Sequence, residues 1–195
     1  MQNLLCRDGE VYYYPYFLDP SECVFYYQIF VNKVKWQQQK IKLFGKTYLC
    51  PRLSAWYGDA DAEYTYSGIL NKPEKWFSEL ETLKRKIEAF CKHTFNSVLI
   101  NWYRNEKDSM GWHSDDEPEL GLNPVIASVS LGQPRVFKFR HRFDKTLKLS
   151  ICLENGSLLV MKGACQRYWE HAIPKQTKSC QGRINLTFRK VVSLS

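Results

Sequence analysis

Arg183-Ile184-Asn185-Leu186-Thr187-Phe188-Arg189 alternates polar and apolar residues throughout. On a β-strand successive side chains point to opposite faces. Ile184, Leu186 and Phe188 therefore share one face, and Arg183, Asn185, Thr187 and Arg189 share the other. An ordinary half-buried strand would put small or anionic groups on its wet side. Two arginines with two neutral hydrogen-bonding groups between them suit a small anion, because a guanidinium meets a carboxylate through two parallel hydrogen bonds. The stretch predicts a strand packed on a core with a cationic pocket beside it.

A second set of residues completes that pocket. His113-Ser114-Asp115 places an imidazole and a carboxylate at i and i+2, so in extended backbone both point the same way. His171 must arrive from elsewhere in the chain, which a barrel permits. Two imidazoles and one carboxylate form the facial triad that leaves iron(II) with open positions. Open catalytic zinc sites use the same ligands, but a zinc hydrolase has no need of the two-arginine strand. The combination points to Fe(II), O2 and a dicarboxylate cosubstrate, 2-oxoglutarate. The remaining histidines, His93 near a helix end and His141 between arginines, read as structural and anion-facing.

The 195 residues suit one domain, 44% apolar and so ample for a core. Aromatic content of 15% favours sheets and offers rings for stacking on bases. Net charge is +8, a statement about partners rather than fold. The positive charge is clustered: Lys138, Arg140, Arg142, Lys145 and Lys148 crowd one stretch, Lys175 and Lys178 follow His171, and Lys40, Lys42 and Lys46 flank an aromatic. Nucleic acid is the expected polyanion. Seven cysteines, odd in number and irregularly spaced, fit neither a zinc ribbon nor a disulfide framework. With no signal peptide read at the N-terminus, an intracellular reducing compartment is expected, cytoplasmic in a bacterium and nuclear in a eukaryote. No apolar run approaches the roughly 20 residues of a membrane span, so no membrane association is expected.

Val11 to Leu18 reads as a strand, and Asp19-Pro20-Ser21-Glu22 as the capped start of a helix running to about Val34. Ile41 to Trp56 holds two extended segments around Phe44-Gly45-Lys46, a tight turn. Gly58 to Gly68 reads as loop. Pro73 opens a second helix with Trp76, Leu80, Leu83, Ile87 and Phe90 on its apolar face. Further strands are expected at Val98–Tyr103, Val125–Leu131, Arg135–Phe139, Thr146–Leu153, Ser157–Met161 and Arg183–Val191, with turns at Gly132-Gln133-Pro134 and Glu154-Asn155-Gly156. The expected fold is mostly β with flanking helices, a double-stranded β-helix or jelly roll. Residues 1–195 form the catalytic domain, with 1–95 an N-terminal extension carrying a helix and hairpin lid and 96–195 the jelly-roll core.

His113-x-Asp115, the distant His171 and the Arg183-x5-Arg189 strand resemble the pattern of the AlkB family of iron- and 2-oxoglutarate-dependent nucleic-acid dealkylases. Supporting stretches are Tyr64-Thr65-Tyr66-Ser67-Gly68, Gly111-Trp112-His113-Ser114-Asp115-Asp116-Glu117, Phe139-Arg140-His141 and Asn185-Leu186-Thr187-Phe188-Arg189-Lys190. The resemblance spans about Phe44 to Lys190 and is closest to the branch that repairs double-stranded DNA. It implies that His113, Asp115 and His171 ligate iron. It implies that Asn101, Tyr103, Arg183, Asn185, Thr187 and Arg189 hold 2-oxoglutarate. Tyr66 would stack on an extruded base opposite His113, with Tyr64 and Thr65 beside it, and Asp116 or Glu117 would accept from the base's exocyclic amine. Phe44, with Gly45 and Lys46, would wedge into the base stack, and Arg52 would lie near the damaged base. Two basic segments, Arg142–Lys145 and Lys175–Lys178, are shorter than in the duplex-acting branch, which weakens the expected grip on the complementary strand.

The implied activity is oxidative dealkylation of bases such as 1-methyladenine and 3-methylcytosine in double- or single-stranded DNA, or in RNA, by a monomer. It releases formaldehyde, succinate and carbon dioxide. A protein hydroxylase of the same class and a non-catalytic nucleic-acid-binding module are the alternatives.

Overall fold

A computed structural model describes residues 2–43, 45–62, 64–66 and 69–192, without the side chains of 42–43, 64–66 and 69–71. The chain runs β1 (Glu10–Tyr14), α1 (Pro20–Lys33), β2 (Lys40–Leu43), β3 (Lys46–Leu49), β4 (Leu53–Gly58), β5 (Tyr64–Tyr66), β6 (Ile69–Asn71), α2 (Ser78–Cys91), β7 (Ser97–Tyr103) and β8 (Met110–His113). After a 3-10 turn at Pro118–Leu120 follow β9 (Ile126–Gly132), β10 (Arg135–His141), β11 (Lys148–Leu153), β12 (Leu158–Lys162), α3 (Cys165–Tyr168), β13 (Trp169–Ile173) and β14 (Arg183–Arg189).

Two antiparallel sheets make the jelly roll. The large one has the order β1-β12-β9-β14-β7-β4, and the small one β11-β10-β13-β8. β14 is central, paired with β7 on one side and β9 on the other. β1 and β4, both from the first half of the sequence, extend the large sheet rather than standing apart from it. Two hairpins, β2–β3 and β5–β6, lie outside the sheets. The first is the turn expected around residues 44–45. In the second, β5 falls within the loop expected from Gly58 to Gly68, and β6 follows it.

α1 and α2 cover the outer face of the large sheet. α1 starts where the sequence predicts. Asp19 Oδ1 accepts from the Glu22 N–H at 2.9 Å, and Glu22 Oε2 accepts from the Asp19 N–H at 3.0 Å, a reciprocal capping box with Pro20 in the first turn. α2 starts at Ser78 rather than Pro73. The intervening segment is held extended, because the Gly58 N–H donates to Glu74 O at 3.0 Å and the Glu74 N–H donates to Trp56 O at 2.9 Å. Leu80, Leu83 and Ile87 of α2 are fully buried, but Phe90 is 46% exposed and packs edge-on against Tyr14.

The core has two layers. Ile184, Leu186 and Phe188 join Leu80, Leu83 and Ile87 between sheet and helices. Tyr103, Phe137, Phe139, Leu159 and Met161 pack between the sheets. The opposite side of β14 is buried as well: Arg183 is 1% exposed, Asn185 and Thr187 8% each. The polar side of that strand faces the jelly-roll interior, where the sequence placed a cationic pocket. His141 is buried too, its Nε2 3.2 Å from the Asp8 carboxylate, and its role is structural.

Candidate active site

The three metal-ligand candidates come from the small sheet. His113 ends β8 and Asp115 lies two residues on. His171 sits on β13, directly across the ladder from His113. One ligand atom from each of the three lies within 4.8 Å of the others. The His113 Nδ1–H reaches the Gly111 carbonyl at 2.9 Å, which fixes the ring and leaves Nε2 free to ligate. His171 stacks on Phe137, its Nε2 3.9 Å from Asp115 Oδ2.

Protonation suits a cation. Burial holds both imidazoles below their ordinary range, His171 at about 3, so each offers a lone pair. Burial alone would raise the Asp115 carboxyl. The Arg189 guanidinium, which donates to its Oδ1, and the two imidazoles outweigh burial and hold it ionised below the usual range. The Asp115 N–H donates to Gln166 Oε1 at 3.0 Å, fixing the ligand loop from α3. Among the described residues these three form the one group with converging ligand atoms, and their donor set fits iron(II).

The wall facing the triad is the inner side of the large sheet. Asn101, Tyr103, Asn185, Thr187 and Arg189 line one cavity with His113, Asp115 and His171. Arg183 lies across the ladder from Tyr103 and its Cζ is 5.3 Å from that ring's centroid. Its Nη2 donates to Ser130 Oγ at 2.9 Å, while Nε and Nη1 have no partner among the described residues. Arg189 Nε is also buried without one. Burial lowers the Arg183 guanidinium to about 10, though it stays charged near neutrality. Buried cationic donors without partners are what a dicarboxylate would satisfy. The Asn185 amide is already engaged, donating to Ser128 Oγ at 2.8 Å and Val129 O at 2.9 Å. The sequence reading missed Ser128 and Ser130, although the alternation Ala127-Ser128-Val129-Ser130-Leu131 carries their signal. It also missed Gln166, which no local pattern marks.

On the substrate side the outcome is mixed. Glu117 is half-buried, its Oε2 has no partner among the described residues, and burial pushes its carboxyl up against the pull of Arg189. Asp116 is bound instead to Arg142, Nη2 to Oδ2 at 2.6 Å. Arg142 also donates to Ser114 Oγ, so the β10–β11 loop clasps both neighbours of Asp115. Arg52 donates through Nε to Asn101 Oδ1 at 2.9 Å and through Nη1 to Ser109 O at 3.3 Å, bracing Asn101 beside the cavity. Tyr64, Thr65 and Tyr66 form β5, paired with β6. Gly45 sits at the hairpin turn with φ 74°, and Lys46 opens β3. Phe44 lies outside the described residues.

A jelly roll with a two-histidine, one-carboxylate centre beside a buried cationic wall defines a class of oxygenase. The family described as the 2OG-Fe(II) oxygenase superfamily matches residues 10–189. Alpha-ketoglutarate-dependent dioxygenase alkB homolog 3 of Mus musculus is 45% identical over 187 residues, 91% of this chain and 65% of that protein. DNA oxidative demethylase ALKBH2 of Arabidopsis thaliana is 32% identical over 215 residues, 96% of this chain and 68% of that protein. The solved structure of OsALKBH1 superimposes with a TM-score of 0.67 at 16% identity, covering 94% of this chain and 99% of that one, a likeness of fold. The chain belongs to the AlkB family within that superfamily. It spans 65% of the length of the mouse alkB homolog 3.

Proposed function

We propose that this protein removes alkyl groups oxidatively from ring nitrogens of DNA bases, single- or double-stranded. The observation that carries the reading is the convergence of His113, Asp115 and His171 opposite a wall where Arg183 Nε and Nη1 and Arg189 Nε are buried without partners among the described residues. Relatives named as alpha-ketoglutarate-dependent dioxygenases and DNA oxidative demethylases support it. When bound, iron(II) with 2-oxoglutarate and dioxygen supplies oxidation of an N-methyl carbon, which departs as formaldehyde while the cosubstrate ends as succinate and carbon dioxide.

The chain's own residues bind and orient. His113, Asp115 and His171 would hold the metal, and Arg189 keeps Asp115 ionised for that task. Arg183 and Arg189 would pair the cosubstrate's carboxylates, with Asn101, Tyr103, Asn185 and Thr187 around them. Met110, Phe137 and Ile173 line the same cavity and exclude water from it. The alkyl group sits on a base's pairing edge, so the base must leave the stack. A lesion that already prevents pairing lowers that cost. Glu117, half-buried near Asp115 and Arg189, is the better placed of the two acidic residues to meet the base's exocyclic amine. The β5–β6 hairpin carrying Tyr64, Thr65 and Tyr66, together with the β2–β3 hairpin, would form the recognition lid within residues 1–95. A reducing intracellular compartment is consistent with seven free cysteines.

The test is formaldehyde and succinate release from 1-methyladenine in single- and double-stranded DNA, with matched RNA and peptide substrates alongside. Activity should require 2-oxoglutarate and iron(II), and should vanish in His113→Ala, Asp115→Ala and His171→Ala while DNA binding persists. Turnover in any of these variants would refute its ligand role.

A further inference from the structure

Arg135 opens β10 and is 1% exposed, as buried as Arg183. A guanidinium does not shed its charge near neutrality, so burial demands hydrogen-bond partners. Arg135 finds them on the main chain for Nη1 and Nη2, while its Nε has no partner among the described residues. Nη1 donates to Asn105 O at 3.2 Å, and Nη2 donates to Asp108 O at 3.0 Å and to Pro174 O at 2.7 Å. The nearby Asp108 carboxylate is taken by Arg104, at 2.7 and 3.0 Å.

These three carbonyls belong to two segments of the site. Asn105 and Asp108 lie in the connection from β7, which carries Asn101 and Tyr103, to β8, which carries His113. Pro174 directly follows β13, which carries His171, just past an irregularity in its ladder between His171 and Ile173. One planar fork thus ties the cosubstrate strand, the metal-ligand strand and β10 at a single point. Its Cζ also lies 5.8 Å from the centroid of the Tyr103 ring, the ring that Arg183 approaches at 5.3 Å. Two buried guanidiniums share one aromatic ring, and Arg183 has no carboxylate partner among the described residues.

We propose that Arg135 is a positioning residue for 2-oxoglutarate, holding the Tyr103 ring and the Arg183 guanidinium in the geometry that receives a carboxylate. The assignment rests on the dioxygenase reading of the cavity. Arg135 also acts electrostatically. After burial and against the favourable influence of Tyr103, its charge is a further reason the Arg183 guanidinium lies below its ordinary range. An anion bound to Arg183 relieves that repulsion.

The test compares wild type with Arg135→Lys, which keeps the charge and loses the fork, and Arg135→Met, which loses both. Calorimetric titration of 2-oxoglutarate into manganese(II)-loaded protein is read beside manganese(II) affinity, the thermal unfolding midpoint and steady-state kinetics. Folded Arg135→Lys should bind 2-oxoglutarate about tenfold more weakly, with manganese(II) affinity changed by less than about twofold. KM for 2-oxoglutarate should rise while KM for methylated DNA stays put. If Arg135→Met fails to fold, the lysine variant carries the test. Unchanged 2-oxoglutarate affinity in a folded lysine variant, with only the unfolding midpoint lowered, would reduce Arg135 to a structural staple. A parallel loss of manganese(II) affinity would overturn the proposal too. A wild type that binds no 2-oxoglutarate would overturn the dioxygenase reading and this assignment with it.

Discussion

His171 is an imidazole in a place where charge is expensive. It is 3% exposed and stacked on Phe137, and burial holds its pKa at about 3 against an ordinary 6.5. In the unfolded chain the ring protonates near 6.5, while in the folded metal-free protein it stays neutral. The unfolded state therefore takes up a proton that the folded state does not, and the contribution of the ring to stability, complete above 6.5, is lost as pH falls from there toward 3. The lowered pKa of His113 acts in the same direction. Asp115 adds to this at more acid pH, since its ionised form is favoured by Arg189 in the fold. Denaturant unfolding of the metal-free protein should show stability dropping between about pH 7 and pH 5, with a shallower drop in His171→Asn. Parallel pH profiles for the two proteins would exclude His171 as the source. The same neutrality serves the metal, because a ligand that is not protonated need not release a proton to bind.

At the scale of elements, β14 was legible because its alternation is unbroken and its two faces meet different surroundings. β9 was legible for the same reason, and β7 as a short apolar run rich in β-branched and aromatic residues. β8 and β13, which carry the two ligand histidines, were not. Met110-Gly111-Trp112-His113 has no apolar alternation and a glycine within it. It is a strand because it pairs with β13, a non-local fact. The metal set was still readable from chemistry alone, because the residue types announce it. The choice between Asp116 and Glu117 was not, since it depends on Arg142 arriving from the β10–β11 loop. The turn between β9 and β10 shows how tightly these elements are joined. Gly132 has φ 85°, pairs with Arg183, and a Cβ there would lie 2.5 Å from Gly182 O and 2.7 Å from Tyr27 Cε2. Neither the backbone carbonyl nor the α1 ring can yield without moving β14. Gly132→Ala should therefore cost more than about 1 kcal/mol in denaturant unfolding. A variant as stable as wild type would mean that the turn has room the geometry denies it.

Across the whole molecule the charges divide by face. On the helical side the cations are answered: Lys33 meets Glu79 at 2.6 Å, Lys35 meets Glu74 at 2.7 Å and Lys86 meets Glu22 at 2.7 Å. Such surface pairs contribute little to stability, but they cancel the field on that side. The outer face of the small sheet is different. Lys138 and Lys148 are exposed on β10 and β11, and Arg140, paired across the ladder with Lys148, leans over the Trp112 ring at 4.3 Å. Glu170 answers Arg140 at 2.7 Å, but nothing comparable answers the two lysines among the ion pairs of the described residues. The helical side is thus neutralised by pairing, while the outer face of the small sheet presents two lysines with no ion-pair partner among the described residues. Nucleic acid bound there would release counterions, and each phosphate contact removed should lower the log–log salt slope by about one. Lys138→Gln with Lys148→Gln should flatten the salt dependence of oligonucleotide binding, read by fluorescence anisotropy across a potassium chloride series. Lys33→Gln with Lys86→Gln should leave the slope unchanged, although it removes the same charge. Equal flattening by both pairs would mean that only net charge matters and that the polyanion has no preferred face.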